Sequence, residues 1–410
     1  MLQNLSVPGS ETLEAKPAHL PLAGIKVVEF CHIAMGPTVG LILAELGADV
    51  IKVEPLPNGD RTRYLKGHIA GAFGYFNRFK KSVGVDIKTD KGKEIVKRLV
   101  ENADVVTENF GAGTADRIGI GYDQLSKYND RLIYCSLKGF LPGPYEDRAG
   151  LDELAQIMSG LAYMTGPLGQ PLRAGSSIID IGGGMFGAIG ILAAIVQRQV
   201  TGKGQKVESA LYETAVFFTG QHMAGEAHTG KKALPYPVRE RSWPIYETFE
   251  TADGRSVFIG VTSDKQWQAF CTAFGRQDLL AMPEYKTNEL RRDNKEKLRP
   301  MVVEIAAGLN AHELIETLAP IGCPVGLAAV PGDLFEDPHL NFEGRMTETT
   351  LPGGKKAKLP RLPLKMSDIP TASRPHSHVP EFAENTEEVL SAIGFSSEDI
   401  RRLRDESVIQ

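Results

Sequence analysis

From Gly24 onward, hydrophobic and polar residues fall into blocks that predict strands and helices in turn. Ile25–Phe30 (IKVVEF) is short, apolar and β-branched, and reads as a buried strand. Gly36–Ala48 (GPTVGLILAELGA) is longer and mostly apolar, which predicts a core helix ended by Gly47. Asp49–Glu54 repeats the strand pattern, and Ser82–Lys88 extends again. Thr89 then caps an amphipathic helix, DKGKEIVKRLVENA, ahead of strands at Asp104–Glu108 and Leu132–Leu137. Strands alternating with helices at this spacing predict a parallel sheet with right-handed crossovers. The fold class is α/β, a doubly wound, Rossmann-like large domain.

After Glu208 the pattern changes. Two helical stretches run to about Gly230, and a Pro/Arg-rich link, ALPYPVRERSWP, leads to a second unit. Strands near Ile245–Phe249 and Ser256–Val261, helices at Ser263–Phe274 and Ala311–Leu318, and an apolar segment Val325–Val330 predict a smaller α+β domain. A Pro/Gly-rich link near Leu351–Pro363 precedes two C-terminal helices, Glu384–Ile393 and Ser396–Arg404. Too few hydrophobics surround them for a core of their own, so they are expected to pack on the large domain. The expected divisions are a flexible lead (1–23), the large domain (24–230), the small domain with its linker (231–340), and the return linker with C-terminal helices (341–410).

Composition narrows the class. The net charge of −5 argues against a general nucleic-acid or anionic-membrane binder. Four widely separated cysteines, with no CxxC, read as reduced thiols in a cytoplasmic protein. The longest apolar stretch, around Met185–Val196, is about a dozen residues, against the ~20 a bilayer requires. No membrane span is therefore expected.

The candidate chemistry lies in Gly175–Glu208. Asp180 closes a short β-branched run, directly before Gly182-Gly183-Gly184 and a long apolar helix. Read as structure, Asp180 is a helix cap and the glycines allow close helix packing. Read as chemistry, the glycines form a turn that admits a ligand, and the helix start aims its free N–H groups at a carboxylate nucleophile. Familiar motifs are missing: the first βα turn is FCHIAMGP rather than GxGxxG, and GxxxxGK[ST], HExxH and GxSxG are absent. His376 and His378 read as solvated loop residues, with no partners at metal-ligand spacing.

Several segments together resemble one family, the family III CoA-transferases, the group that also contains α-methylacyl-CoA racemase. They are LPLAGIKVVEFCHIAMGPTVGLILAELGADVIKVE, NGDRTR, KSVGVDIKTDKGKE, ADVVTENFGAGTADRIGIGYDQL, the stretch from Leu132 to Gly166, the Asp180 segment, TADG, and GCPVGLAAV with EDPHL. The resemblance spans nearly the whole chain from residue 20. It implies that Asp180 is the catalytic nucleophile, supported by Asp152 and by N–H groups of Gly182, Gly183 and Gly184. It also implies that CoA is held by Lys88, Asn109, Phe110 and Arg117, with Ile33 and Ala34 in the first turn and Val85 as an apolar shelf for adenine. Coenzyme A and acyl-CoA are then substrates. No tightly bound cofactor or metal is implied, and the partners are carboxylic acids and a second copy of the chain in an interlocked homodimer.

Taken singly, Lys88 reads equally as a solvated strand-end lysine, Arg117 as a helix-surface charge, and Asn109–Phe110 as an ordinary turn. In the racemase branch a histidine precedes the aspartate of the segment written here RAGLDELAQ. This chain has Leu151, which cannot carry a proton, so the resemblance points to the transferase branch. Asp152 has two readings: it raises the Asp180 pKa by like charge, or it N-caps its own helix. The glycine run of the formyl-CoA transferase type is absent from YPVRERSWPIYETF. Arg148, Arg239 and Arg241 are candidates for a second carboxylate, as in succinate, and His32 for a substrate or CoA contact. The alternatives to a transferase are a racemase or a CoA-binding protein without turnover.

Overall fold

The computed structural model describes residues 20–239, 241–369 and 376–410; most of the expected flexible lead lies outside these. The chain divides into two compact units. One contains the described residues up to Pro237 together with Pro338–Gln410, and the other is Val238–Asp337.

The first unit is built on six strands: β1 (Lys26–Phe30), β2 (Asp49–Glu54), β3 (Lys81–Gly84), β4 (Val105–Glu108), β5 (Ile133–Lys138) and β6 (Gln205–Ala210). Their order is β3-β2-β1-β4-β5-β6, and every neighbouring pair is parallel. The order reverses between β1 and β4, where Phe30 stands opposite Glu108. A crevice opens past the carboxyl ends of strands at such a reversal, and there ligands of open α/β sheets bind. The residues that follow these two strands are Cys31-His32-Ile33 and Asn109-Phe110.

Alternate residues of β1 feed two cores. Val28 joins Ile95 and Leu99 of the Asp90–Glu101 helix and Leu390, Ile400 and Leu403 of the C-terminal helices on one face. Val27 joins Val39 and Leu43 of the Met35–Glu45 helix and Ile179 and Ile191 on the other. The Thr89 cap is present, its side chain accepting from the Gly92 N–H.

The second unit carries an antiparallel sheet, β7 (Ile245–Glu250), β8 (Ser256–Val261) and β9 (Val325–Leu327). Trp267, Phe270, Val302 and Leu314 pack in its core.

Several elements differ from the sequence-based expectation. No turn separates Asp180 from the helix: the helix runs Ile178–Thr201 and already contains Asp180 and all three glycines. At 24 residues it is long and apolar enough to cross a bilayer by length and composition, so the expectation that no stretch is long enough is corrected; half of its apolar window is buried inside the protein. The two helical stretches after Glu208 are one helix, Leu211–Thr229, ended by Gly230 in the left-handed region at φ 67°.

β6 escaped the hydrophobic pattern because it is an edge strand with an exposed Lys206 and Glu208. The Leu351–Pro363 link contains one side of a hairpin, β10 (Met346–Thr350) with β11 (Lys356–Pro360). His376–His378 form β12, a short strand parallel to β10 rather than a loop.

Candidate active site

Asp180 is the third residue of the Ile178–Thr201 helix. The free N–H groups of that first turn need an acceptor, and the preceding Ser177 side chain does not supply one. Asp152 does, from 28 residues earlier in the chain. Its Oδ2 accepts from the N–H of Ile179 at 2.8 Å and of Asp180 at 3.1 Å.

Asp152 is 8% exposed, and its Oδ1 accepts from Gln156 Nε2 at 2.5 Å and Arg173 Nη2 at 3.3 Å. It opens the Asp152–Met158 helix but does not cap it; Leu151 occupies that cap position without a side-chain bond. The reading of Asp152 as cap of its own helix is therefore corrected: it caps the helix that carries Asp180.

Burial raises the Asp180 carboxyl pKa to about 7, the negative charge of Asp152 adds to this, and Arg173 opposes it. A carboxylate so placed is more basic than usual and correspondingly more nucleophilic. Arg173 also pairs with Glu153 at 2.9 Å and donates to Ser176 O at 3.3 Å, which fastens the segment leading into the helix. The sequence reading missed Arg173 and Gln156. Their only signal was proximity in sequence to Asp180 and Asp152, which does not specify pairing.

Gly182, Gly183 and Gly184 do not form an oxyanion turn. They lie in regular helix, none at positive φ, so their N–H groups bond to carbonyls four residues back. Their role is close approach. A Cβ on Gly183 would stand 2.6 Å from Met35 Cε, and one on Gly184 2.6 Å from both Met35 O and Thr38 Cβ. The Ile178–Thr201 helix thus lies directly on the Met35–Glu45 helix, and Ile181 packs against the cluster of Ala34, Leu41 and Phe76. This brings the start of the Asp180 helix beside the turn that follows β1.

That turn lines a cleft of about 1000 Å³, whose walls include His32, Ile33, Arg61, Tyr64, Lys88 and Phe110. Its size is at the upper end for small-molecule sites. His32 and Phe110 face each other across β1 and β4, ring centroids 6.0 Å apart. Desolvation lowers the His32 pKa, which keeps the ring neutral at neutral pH. Lys88 and Arg61 place two cations on the cleft wall. Arg61 sits in the NGDRTR segment and had drawn no role from sequence.

The other sequence candidates separate. Asn109 clamps the turn: its Oδ1 accepts from the His32 N–H at 2.9 Å and its Nδ2 donates to His32 O at 2.8 Å. Phe110 is held by Lys138, whose Nζ donates to Phe110 O at 2.7 Å and to Glu108 at 2.8 Å. Val85 is 1% exposed, inside the core and bridged to Ile409, so it offers no shelf for a ring. Ala34 is 4% exposed, and only Ile33 of that pair presents its side chain.

Arg117 is exposed on the Thr114–Arg117 helix, donating to Thr114 Oγ1 at 2.7 Å, and does not line the cleft wall. Arg148 stacks over Tyr145, 4.0 Å from the ring centroid. Arg239 and Arg241 belong to the second unit, where Arg241 Nη1 donates to Tyr246 O at 2.6 Å.

The chain thus combines an open parallel sheet, a ligand-sized cleft at its switch point lined by both cations and carboxylates, and a half-buried carboxyl of raised pKa at the start of a core helix. The sequence profile of CoA-transferase family III matches residues 22–386. The succinyl-CoA–L-malate CoA-transferase beta subunit of Chloroflexus aurantiacus is 32% identical over 406 residues, covering 95% of this chain and 98% of that protein. A formyl-CoA:oxalate CoA-transferase of Rhodopseudomonas palustris is 31% identical, covering 95% and 97%. The crystal structure of a CaiB/BaiF family protein from Brucella suis superposes with TM-score 0.80 at 34% identity, covering 91% of this chain and 99% of that one. The chain belongs to CoA-transferase family III and is a CoA-transferase.

Proposed function

We propose that this enzyme moves CoA from an acyl-CoA thioester to a free carboxylic acid through covalent intermediates on Asp180. The Asp180 carboxylate attacks the thioester carbonyl; the C–S bond breaks, CoA leaves as thiolate, and a mixed anhydride remains. The thiolate then attacks the aspartyl carbonyl, releasing the donor acid and leaving an aspartyl-CoA thioester. The acceptor carboxylate attacks that thioester to form a second anhydride and release thiolate. Attack of the thiolate on the acyl carbonyl of this anhydride gives the new acyl-CoA and frees Asp180. Anhydride and thioester are comparably activated, so each exchange is nearly balanced and needs no external energy source.

The observation that carries this reading is the half-buried Asp180 carboxyl of raised pKa, on a helix start that Asp152 holds and that packs through Ile181 against Ala34, next to the turn lining the cleft. Lys88 and Arg61 suit the phosphates of CoA, and Phe110 an apolar part of it. Met35–Glu45 begins without a side-chain acceptor and touches the Asp180 helix, so its positive end suits the oxyanions that form during attack.

A dicarboxylate such as succinate is our choice for one partner, in keeping with the relative named for succinyl-CoA and malate. Leu151 stands exposed where a racemase would need its proton carrier, and so favours transfer over epimerisation.

The working form is an interlocked homodimer in the cytoplasm. Met185, Ile189, Val196 and Val200 form an exposed apolar stripe along one helix, which a second copy would cover. All four cysteines are free and buried, as suits a reducing compartment.

The test is incubation with succinyl-CoA and a panel of acids, followed by mass spectrometry of products and protein. New acyl-CoA and a CoA-sized adduct on Asp180 are expected. Asp180→Ala should lower turnover by about a thousandfold or more and abolish the adduct. Transfer that survives this substitution would overturn the mechanism.

A further inference from the structure

NGDRTR, Asn58–Arg63, carries more than a cation for the cleft. Behind the cleft wall, Lys52 is fully buried and pairs with Asp60 Oδ2 at 3.0 Å and with Glu29 at 3.4 Å, and it donates to Cys31 O. The other oxygen of Asp60 accepts from the Thr62 hydroxyl at 2.6 Å and the Thr62 N–H at 2.8 Å. Thr62 is itself fully buried, and its Oγ1 accepts from the Ile33 N–H at 3.0 Å.

Ile33 has φ 65°, a left-handed conformation that strains a β-branched side chain. It is nevertheless 43% exposed, in the cleft. Core packing therefore does little to hold it there. Two polar holds do: Asn109 grips the His32 main chain on one side, and Thr62 grips the Ile33 N–H on the other.

We propose that the buried Lys52–Asp60–Thr62 relay is a positioning device that keeps the strained His32–Ile33 turn in the shape that receives CoA. The assignment of CoA to this cleft rests on the function proposed above. The relay gives the Thr62 hydroxyl a fixed direction. Its proton is committed to Asp60, whose second oxygen is held by Lys52, so its lone pair is left for the Ile33 N–H. A turn with an unstrained residue would not need such a hold, and here the partner of Thr62 in the relay, Asp60, is a buried carboxylate that Lys52 keeps from reorienting freely.

The test compares Thr62→Val, which keeps the shape and removes the acceptor, with Thr62→Ser, which keeps the hydroxyl. Amide hydrogen exchange at Ile33 should quicken about tenfold in Thr62→Val while melting shifts by no more than about 3 °C. Calorimetric titration with CoA should show Kd weakened about five- to tenfold in Thr62→Val and within about twofold of wild type in Thr62→Ser. In an Ile33→Gly background, where positive φ is unstrained, the same Thr62→Val change should cost less than about twofold.

Wild-type exchange at Ile33 in Thr62→Val would overturn the hold. Faster exchange with an unchanged CoA Kd would overturn its role in positioning. A wild-type protein that binds no CoA would instead overturn the assignment of the cleft, and the exchange measurement would still decide whether Thr62 holds the turn.

Discussion

Two helices that touch begin in opposite ways. The Ile178–Thr201 helix starts under the Asp152 carboxylate, which accepts from two of its first N–H groups and is anchored by Gln156 and Arg173. The Met35–Glu45 helix starts at Ala34, with no side-chain acceptor, after a strained Ile33. The first arrangement fixes Asp180 where burial, with the Asp152 charge added and Arg173 opposing, raises its carboxyl pKa to about 7. The second leaves the partial positive charge of a helix start available to an anion. A side chain caps the helix start that carries Asp180, whereas the other start is held only through the turn before it, by Asn109 and Thr62.

Removing the cap should have the largest effect. Asp152→Ala strands the buried Ile179 N–H and the part-buried Asp180 N–H and removes one partner of Arg173, and is expected to cost about 2 kcal/mol, read by denaturant unfolding. Turnover should fall by more than that loss of folded protein explains, because Asp180 loses its anchored backbone.

Close packing between the two helices comes next. Gly184→Ala would drive a methyl into Met35 O and Thr38, at an expected cost of about 2 kcal/mol. Gly220→Ala, in a helix with open space at that point, should instead stabilise by roughly 0.5 kcal/mol. Equal effects at the two glycines would break the packing account.

The smallest effect is electrostatic. In the mechanism proposed above only ionised Asp180 attacks, so turnover should rise as pH passes through about 7. Asp152→Asn keeps an acceptor and removes the like charge, so the acidic limb of the kcat profile should move down by roughly one pH unit. The linkage has the opposite sign to a salt-bridged carboxylate. The fold retains the Asp180 proton above the pH at which an unfolded chain releases it, so this group lowers stability as pH rises from about 4 to 7.

Much of this was legible in the amino-acid order. The strand and helix alternation up to β5, the Thr89 cap, the small-unit strands and the candidacy of Asp180 all follow from local pattern and motif. β6 was not legible, because an edge strand with alternating charges has no apolar run. The glycines were misread as a turn, since three adjacent glycines carry the same local signal whether they serve φ or close approach. Only the helix lying against them decides between these.

Val85 shows the same limit in reverse: a valine in a matching motif is a shelf or a core residue according to what covers it, and here Ile409 does. Arg61, Gln156 and Arg173 stayed silent because a charged or amide side chain reveals nothing of its partner until the chain is folded.

Asp180 was marked out by its place in the sequence: a lone carboxylate before a small-residue stretch and a long apolar helix, within segments that match a family. Periodicity sufficed for the doubly wound sheet because burial of apolar faces is a local property of each element. Tertiary structure alone decided that Asp152 caps the Asp180 helix, that the glycines serve packing, and that Thr62 reaches Ile33 across 29 residues. These are contacts between distant segments, and their energy depends on distance, burial and charge that exist only once the sheet has brought the segments together.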